Sequence, residues 1–398
     1  MRWLRLSPFP AGRIQHGEQS YAALTSAALL ALGVDLTRIS IFPRLSFPLD
    51  ECGPNDIAVE NPEFSSLAAN SATDLDYRFA LWFASQPTHL EELRTQIERD
   101  APEVIIIDRP WPWLYLRQLI GQNFTPKVIY CCRNRLASLE GEKMSGSDDA
   151  TAELELEVIG RAAQIWCASD EDAHAMQRSF SKSAIFVPPC STITSVFRHE
   201  MPRATDAGTR TADGRIAALI GCSCQPNVEG FFEAFEHGLG FLRPNEKLAI
   251  GGSLGSAILQ DARYAPFRRL NDSRLQIRGA MTEPEKSAHY ATAVCCLVPV
   301  WAGKGAKGQI ADALAAGLPL VCTTNALRGY RSLCDGAVSN GIFIADEAAA
   351  FRALVIEAMR GHLAPIPDVT RALFQFDAMK QRIASAMASL KGSAINPP

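Results

Sequence analysis

The feature that most constrains this chain is a short, unbroken apolar run that recurs along its length. VIIID (104–108), KVIYCC (127–132), RIAALI (215–220), KLAIGG (247–252), AVCCLVPV (293–300) and LPLVCTT (318–324) are the clearest cases. Such runs lack the in-out alternation of a half-exposed strand. They suit parallel strands covered on both faces. Stretches with helical patterning lie between them, among them 18–32, closed by Gly33, and 283–293. Strands that alternate with helices imply an α/β chain built on doubly wound parallel sheets.

Beyond a polar stretch at about 43–75, one segment breaks the alternation between two halves. HEMPRATDAGTRTADG (199–214) is polar and rich in Pro, Thr and Gly, as linkers are. We therefore expect a Rossmann-like domain over 1–198, a linker over 199–214 and a second Rossmann-like domain over 215–375. A last helix over 376–398 is expected to pack back toward the first domain. In open α/β sheets, ligands bind beyond the C-terminal ends of the strands, so a cleft between two such ends is the expected site.

Composition narrows the partners. The formal net charge is -4, with 39 Lys+Arg against 43 Asp+Glu, which argues against nucleic acid as a ligand. The 11 cysteines fall largely inside apolar runs and do not form a disulfide framework. Together with the lack of a secretory pattern in MRWLRLSPFPAG, this suggests a cytoplasmic protein. Cys222 and Cys224 form a CxC, but no further Cys or His lies at zinc spacing, so no metal site is expected. The apolar stretch Tyr21–Val34 is too short to span a bilayer, and peripheral membrane contact stays open.

The richest segment is Val298–Tyr330, VPVWAGKGAKGQIADALAAGLPLVCTTNALRGY. A buried strand ends near Pro299, and Gly303 and Gly305 then open a helix. Glycines let backbone N–H groups approach an anion, and a helix N-terminus favours negative charge. Lys304 and Lys307 add charge-assisted bonds. On a helical wheel Ile310 and Leu314 face the sheet, whereas Gln309 and Asp312 share the other side. A carboxylate there could accept from two neighbouring hydroxyls, such as those of a ribose. The same residues could equally be a Gly-rich turn and a solvated helix face.

This segment resembles the donor-binding stretch of GT-B glycosyltransferases, in the retaining family 4, or "group 1". Gly303, Gly305, Gly317 and Pro319 match its pattern. Asp312 stands where the family has the Glu that contacts the ribose, and Gln309 where it has a Lys that contacts the diphosphate. ALIGCSCQPNVEG resembles the first turn of the donor domain, with Gly221 and Asn227 matching. LQIRGAMTEPEKSAHYATAVCCLVP resembles the base-reading segment after Gly279. TTNALRGY resembles the loop near the diphosphate, with Arg328 as a substitute cation. In the first half, PAGRIQHGEQSY resembles the Gly-containing loop after the first strand. Arg133 stands where His is common, and Ser169 and Asp172 match a later signature.

The resemblance implies a two-domain GT-B enzyme that moves a sugar from a nucleotide-sugar to a glycan, lipid-linked or small-molecule acceptor. Retention of configuration and no cofactor or required metal are implied as well. His16, Arg133 and Asp108 become candidate catalytic residues. Gly221, Asn227, Gly279, Gly303, Lys304, Gly305, Lys307, Gln309, Asp312 and Arg328 become candidate donor-binding residues. Asp108 follows VIII at a strand end and could instead only begin a turn. Because Glu becomes Asp and Lys becomes Gln, two alternatives stay open. One is a protein of this fold that binds without transferring, and the other is a nucleotide-sugar epimerase.

Overall fold

The apolar runs become strands of two parallel sheets. The structure is a computed structural model. It describes residues 1–10, 17–43, 56–59, 75–120, 125–133, 149–191, 193, 214–334 and 340–392. The first sheet contains β1 (Arg2–Ser7), β2 (Asp35–Pro43), β3 (Asp56–Val59), β4 (Val104–Asp108), β5 (Lys127–Cys132), β6 (Gln164–Cys167) and β7 (Ala184–Phe186). Their order is β3-β2-β1-β4-β5-β6-β7. The second contains β8 (Arg215–Ile220), β9 (Glu246–Gly251), β10 (Leu275–Gly279), β11 (Cys295–Val298), β12 (Leu320–Cys322) and β13 (Ile342–Ile344). Their order is β10-β9-β8-β11-β12-β13. All recorded pairings are parallel.

Burial explains why the runs lack alternation. In the second sheet, Leu219, Leu248, Ile250 and Leu297 pack on one face against Phe231, Phe235 and Phe351. Ala218, Cys296, Val298, Leu320 and Cys322 pack on the other against Ile310, Leu314 and Tyr330. A strand covered twice needs apolar residues at successive positions. Each large side chain buried this way contributes about 1.5–3 kcal/mol. Cysteine serves as a small hydrophobe in these strands: Cys131, Cys132, Cys167, Cys295, Cys296 and Cys322 are free and buried.

The chain divides into two compact units, residues 1–187 with 380–398 and residues 188–379. The division thus falls eleven positions before the polar segment at 199, of which residues 199–213 lie outside the described residues. Within the second unit, the Ser191 N–H donates to the Phe374 carbonyl at 2.8 Å. The end of the Phe376–Gly392 helix belongs to the first unit. There Lys127 Nζ donates to the Leu390 carbonyl at 2.8 Å, and Gln164 Nε2 reaches the Ala386 carbonyl at 3.2 Å and Ser389 Oγ at 2.9 Å. A cation at the last carbonyls of a helix is favourable. No helix among the described residues is long and apolar enough to cross a membrane.

Candidate functional site

The second sheet reverses its winding between β8 and β11, which neighbour each other but are far apart in sequence. Such a switch point opens a crevice at the carboxyl ends of the strands. Five connections meet at this edge: 221–224 after β8, 252–253 after β9, 280–282 after β10, 299–307 after β11 and 323–330 after β12. These connections and the starts of the helices that follow hold the donor-binding residues expected from the sequence, except that Gly279 closes β10 and Asp312 lies one turn into the Gly308–Ala316 helix.

The loop after β11 turns on Gly303 at φ 96° and Gly305 at φ 71°. Only glycine takes up such angles without strain. The Gly308–Ala316 helix then begins, with the Lys307 backbone as its N-cap. Its Ile310 and Leu314 are fully buried, as the helical wheel expects. Across the switch point, Gln309 Nε2 donates to Asn227 Oδ1 at 3.3 Å. Asn227 in turn donates through Nδ2 to the Cys222 carbonyl at 3.1 Å. Asn227 lies in the first turn of the Gln225–Ala234 helix, so this bridge brings two helix N-termini to one crevice.

One expected role changes once side chains are placed. Lys307 folds back on its own loop: Nζ donates to the carbonyls of Gly305 at 3.0 Å, Lys304 at 3.1 Å and Gly303 at 3.4 Å. In this arrangement its ammonium braces the glycine turn instead of standing open to a phosphate. The Tyr330 hydroxyl donates to the Lys307 carbonyl at 2.9 Å and ties the loop after β12 to the same turn. Lys304 is exposed and Arg328 half-buried on these two loops. Gly221 directly follows β8 and Gly279 closes β10 at the same edge, Gly279 at φ 66°.

Asp312 does not face open solvent. Ser191 Oγ donates to its Oδ1 at 2.7 Å, and Lys286 Nζ lies 3.1 Å from its Oδ2. Lys286 also pairs with Glu283 Oε2 at 2.9 Å. Burial pushes the lysine down, but the two carboxylates outweigh it and hold its pKa above the ordinary value. The sequence assigns a role to neither Ser191 nor Lys286, although Lys286 lies within the stretch that resembles the base-reading segment. Only the packing of three distant segments brings them to Asp312.

Asp108 needs a larger correction. It closes β4, yet it is only 2% exposed. Arg5 grips it with two bonds, Nε to Oδ2 at 2.7 Å and Nη2 to Oδ1 at 2.6 Å, and Ser7 Oγ donates to Oδ2. Burial raises the carboxyl, but the charge and hydrogen bonds of Arg5 win and hold its pKa below the usual range. The residue is half of a buried ion pair and offers no open oxygen to a substrate. Arg133 packs its guanidinium 4.5 Å from the Tyr21 ring centroid and donates to the Gly17 carbonyl at 2.8 Å. That places it at the start of the Gly17–Ala31 helix. His16 lies outside the described residues. Ser169 caps the Asp170–Phe180 helix by accepting from the Asp172 N–H at 3.1 Å, so this sequence match is a helix cap.

A cavity of about 620 Å³ lies elsewhere in the second unit, lined by Arg215, Arg243, Glu246, Arg360 and His362. It sits at the N-terminal ends of β8 and β9. Most of its cations have partners: Arg215 caps the Met359 carbonyl, while Arg360 and His362 pair with Glu357. It is therefore no rival to the switch point. Among the described residues, no group of three or more His, Cys, Asp or Glu could hold a metal ion.

No family profile and no curated protein matches the chain. Solved structures do match it along its whole length. Sucrose-phosphate synthase from Thermosynechococcus elongatus is 14% identical, with 99% of this chain and 100% of that one covered and a TM-score of 0.62. Anabaena HepE in complex with UDP and glucose is 12% identical, covering 98% and 100%, with a TM-score of 0.61. A UDP-N-acetylglucosamine 2-epimerase, described as putative, from Listeria monocytogenes is 10% identical, covering 100% and 98%, with a TM-score of 0.56. Two Rossmann-like units, each a parallel sheet clad in helices, give this chain the GT-B fold.

Proposed function

We propose that the chain is a glycosyltransferase that binds a nucleotide-sugar at the switch point of its second sheet. The observation that carries this reading is the Asn227–Gln309 bridge, which brings the glycine turn at 303–305 and two helix starts to one crevice. The solved HepE complex holds UDP and glucose, a ligand pair of the kind this crevice suits. The leaving diphosphate would meet the amide groups at the start of the Gly308–Ala316 helix, with Lys304 and Arg328 as the nearby cations. Fixed dipoles aimed where charge develops stabilise a leaving group without reorganisation. Asp312 would accept from ribose hydroxyls. The first unit would take the acceptor, a glycan, lipid-linked or small molecule, with Arg133 and His16 as candidates to meet it. Transfer would proceed with retention and without a required metal.

A screen of UDP-, GDP-, ADP- and dTDP-sugars by thermal shift tests the reading, followed by turnover of the best binder. At least one donor is expected to raise the melting temperature and then to be consumed with an acceptor. The absence of any stabilisation overturns the proposal. A second reading is a nucleotide-sugar epimerase, which the Listeria structure of the same fold favours. Epimerised donor with no acceptor product would select it.

A further inference from the structure

Asp312 is one methylene shorter than the glutamate that the resemblance expects. Its surroundings address that shortfall. Its helix contributes the carboxylate, the Glu283–Thr292 helix contributes Lys286, and the segment entering the second unit contributes Ser191. Each carboxylate oxygen thus has one donor, and each keeps a further lone pair. Lys286 uses two of its three N–H groups on Glu283 and Asp312. Both Lys286 and Asp312 keep 14% of their side chains exposed, so the pair is confined without being sealed.

A carboxylate free to rotate would lose side-chain entropy on meeting a ligand. One clamped by a half-buried ammonium and a hydroxyl has lost it beforehand. Lys286 also sets a positive charge 3.1 Å from one carboxylate oxygen, which fixes the direction in which the group points. Glu283 anchors the lysine from the far side and stops it from moving off with a ligand.

We propose that Lys286, with Ser191, is a positioning residue that holds the Asp312 carboxylate to accept the vicinal hydroxyls of a ribose, and so selects ribonucleoside over deoxyribonucleoside diphosphates. This rests on the donor reading given above. Removal of Lys286 leaves two carboxylates facing each other. Asp312 then turns away, and the hydroxyl contact is lost while the diphosphate contacts remain.

The test titrates the full chain by calorimetry with UDP, GDP and ADP and with their 2′-deoxy and 3′-deoxy counterparts. Wild type, Lys286→Met, Lys286→Arg and Ser191→Ala are compared, and each melting temperature is recorded as a check on folding. The wild type should bind one ribonucleotide about tenfold more tightly than an analogue that lacks a hydroxyl. Lys286→Met should lose that tenfold for the ribonucleotide and change the deoxy analogue less than twofold. Lys286→Arg should recover most of the discrimination, and Ser191→Ala should lose part of it. Equal weakening of ribo- and deoxyribonucleotide in a folded Lys286→Met, or no discrimination in the wild type, overturns the positioning role and leaves the donor site standing. Failure of all three ribonucleotides to bind the wild type instead overturns the donor reading itself.

Discussion

Two carboxylates show how one residue type takes different roles in one chain. Asp108 is held by Arg5 and Ser7 inside the first unit, where it compensates a fully buried guanidinium. Arg5 directs its remaining bonds to Thr25 Oγ1 at 2.6 Å and Ser26 Oγ at 3.1 Å. Asp108→Ala strands that charge, and breaking a buried pair costs about 3–5 kcal/mol. Urea unfolding should show this loss, while nucleotide affinity in any variant that still folds should stay unchanged. Asp312→Ala is expected to behave in the opposite way. It should weaken the binding of the selected nucleotide by at least about 1.5 kcal/mol in calorimetry, the value of a charged hydrogen bond. Unchanged affinity would remove Asp312 from the site.

At the scale of elements, the crevice depends on how closely helices approach the strand ends. Gly230 faces the end of β11 from the Gln225–Ala234 helix, and a Cβ there would lie 1.7 Å from the Pro299 carbonyl oxygen. No side chain fits unless the helix moves. Gly230→Ala should therefore cost about 1–3 kcal/mol of stability as an overpacking change. It should also weaken nucleotide binding, because the same helix carries Asn227. A melting curve with a parallel titration checks both. On the Glu283–Thr292 helix, His289 is buried, and its Nε2 has no hydrogen-bond partner. Burial, and then Arg278, push its pKa down to about 4 from 6.5. The folded state therefore keeps it neutral. Its contribution is complete above pH 6.5 and is lost as the pH falls toward 4, by up to about 3 kcal/mol. Denaturant midpoints measured across that window should fall in the wild type and flatten in His289→Leu.

At the scale of the whole molecule, the two units have separate sheets and separate cores. A ligand bound to the second should protect that unit first. At a hundredfold excess over the dissociation constant, the bound nucleotide adds about 2.7 kcal/mol. Hydrogen exchange should then slow around 221–227 and 303–309 before it slows in β1 or β4. Uniform protection across both sheets would contradict a donor site confined to the second unit.

The apolar runs by themselves determined the α/β class, the parallel sheets and most strand positions, because double-sided burial leaves a mark in every window of a strand. The helix wheel also picked out Ile310 and Leu314 correctly. The glycines at 303 and 305 could be read in advance because their backbone angles exclude most other residues. Other features could not. The boundary at 188 reflects contacts far along the chain, such as the bond from Ser191 to Phe374, 183 positions away. Asp108 at a strand end reads the same whether it faces a ligand or a buried arginine, and only the register of β1 beside β4 puts Arg5 next to it. The sequence pattern assigns no role to Lys286 or Ser191. Side-chain partners are set by which segments the fold brings within about 3 Å of one another, and local pattern carries no record of that distance.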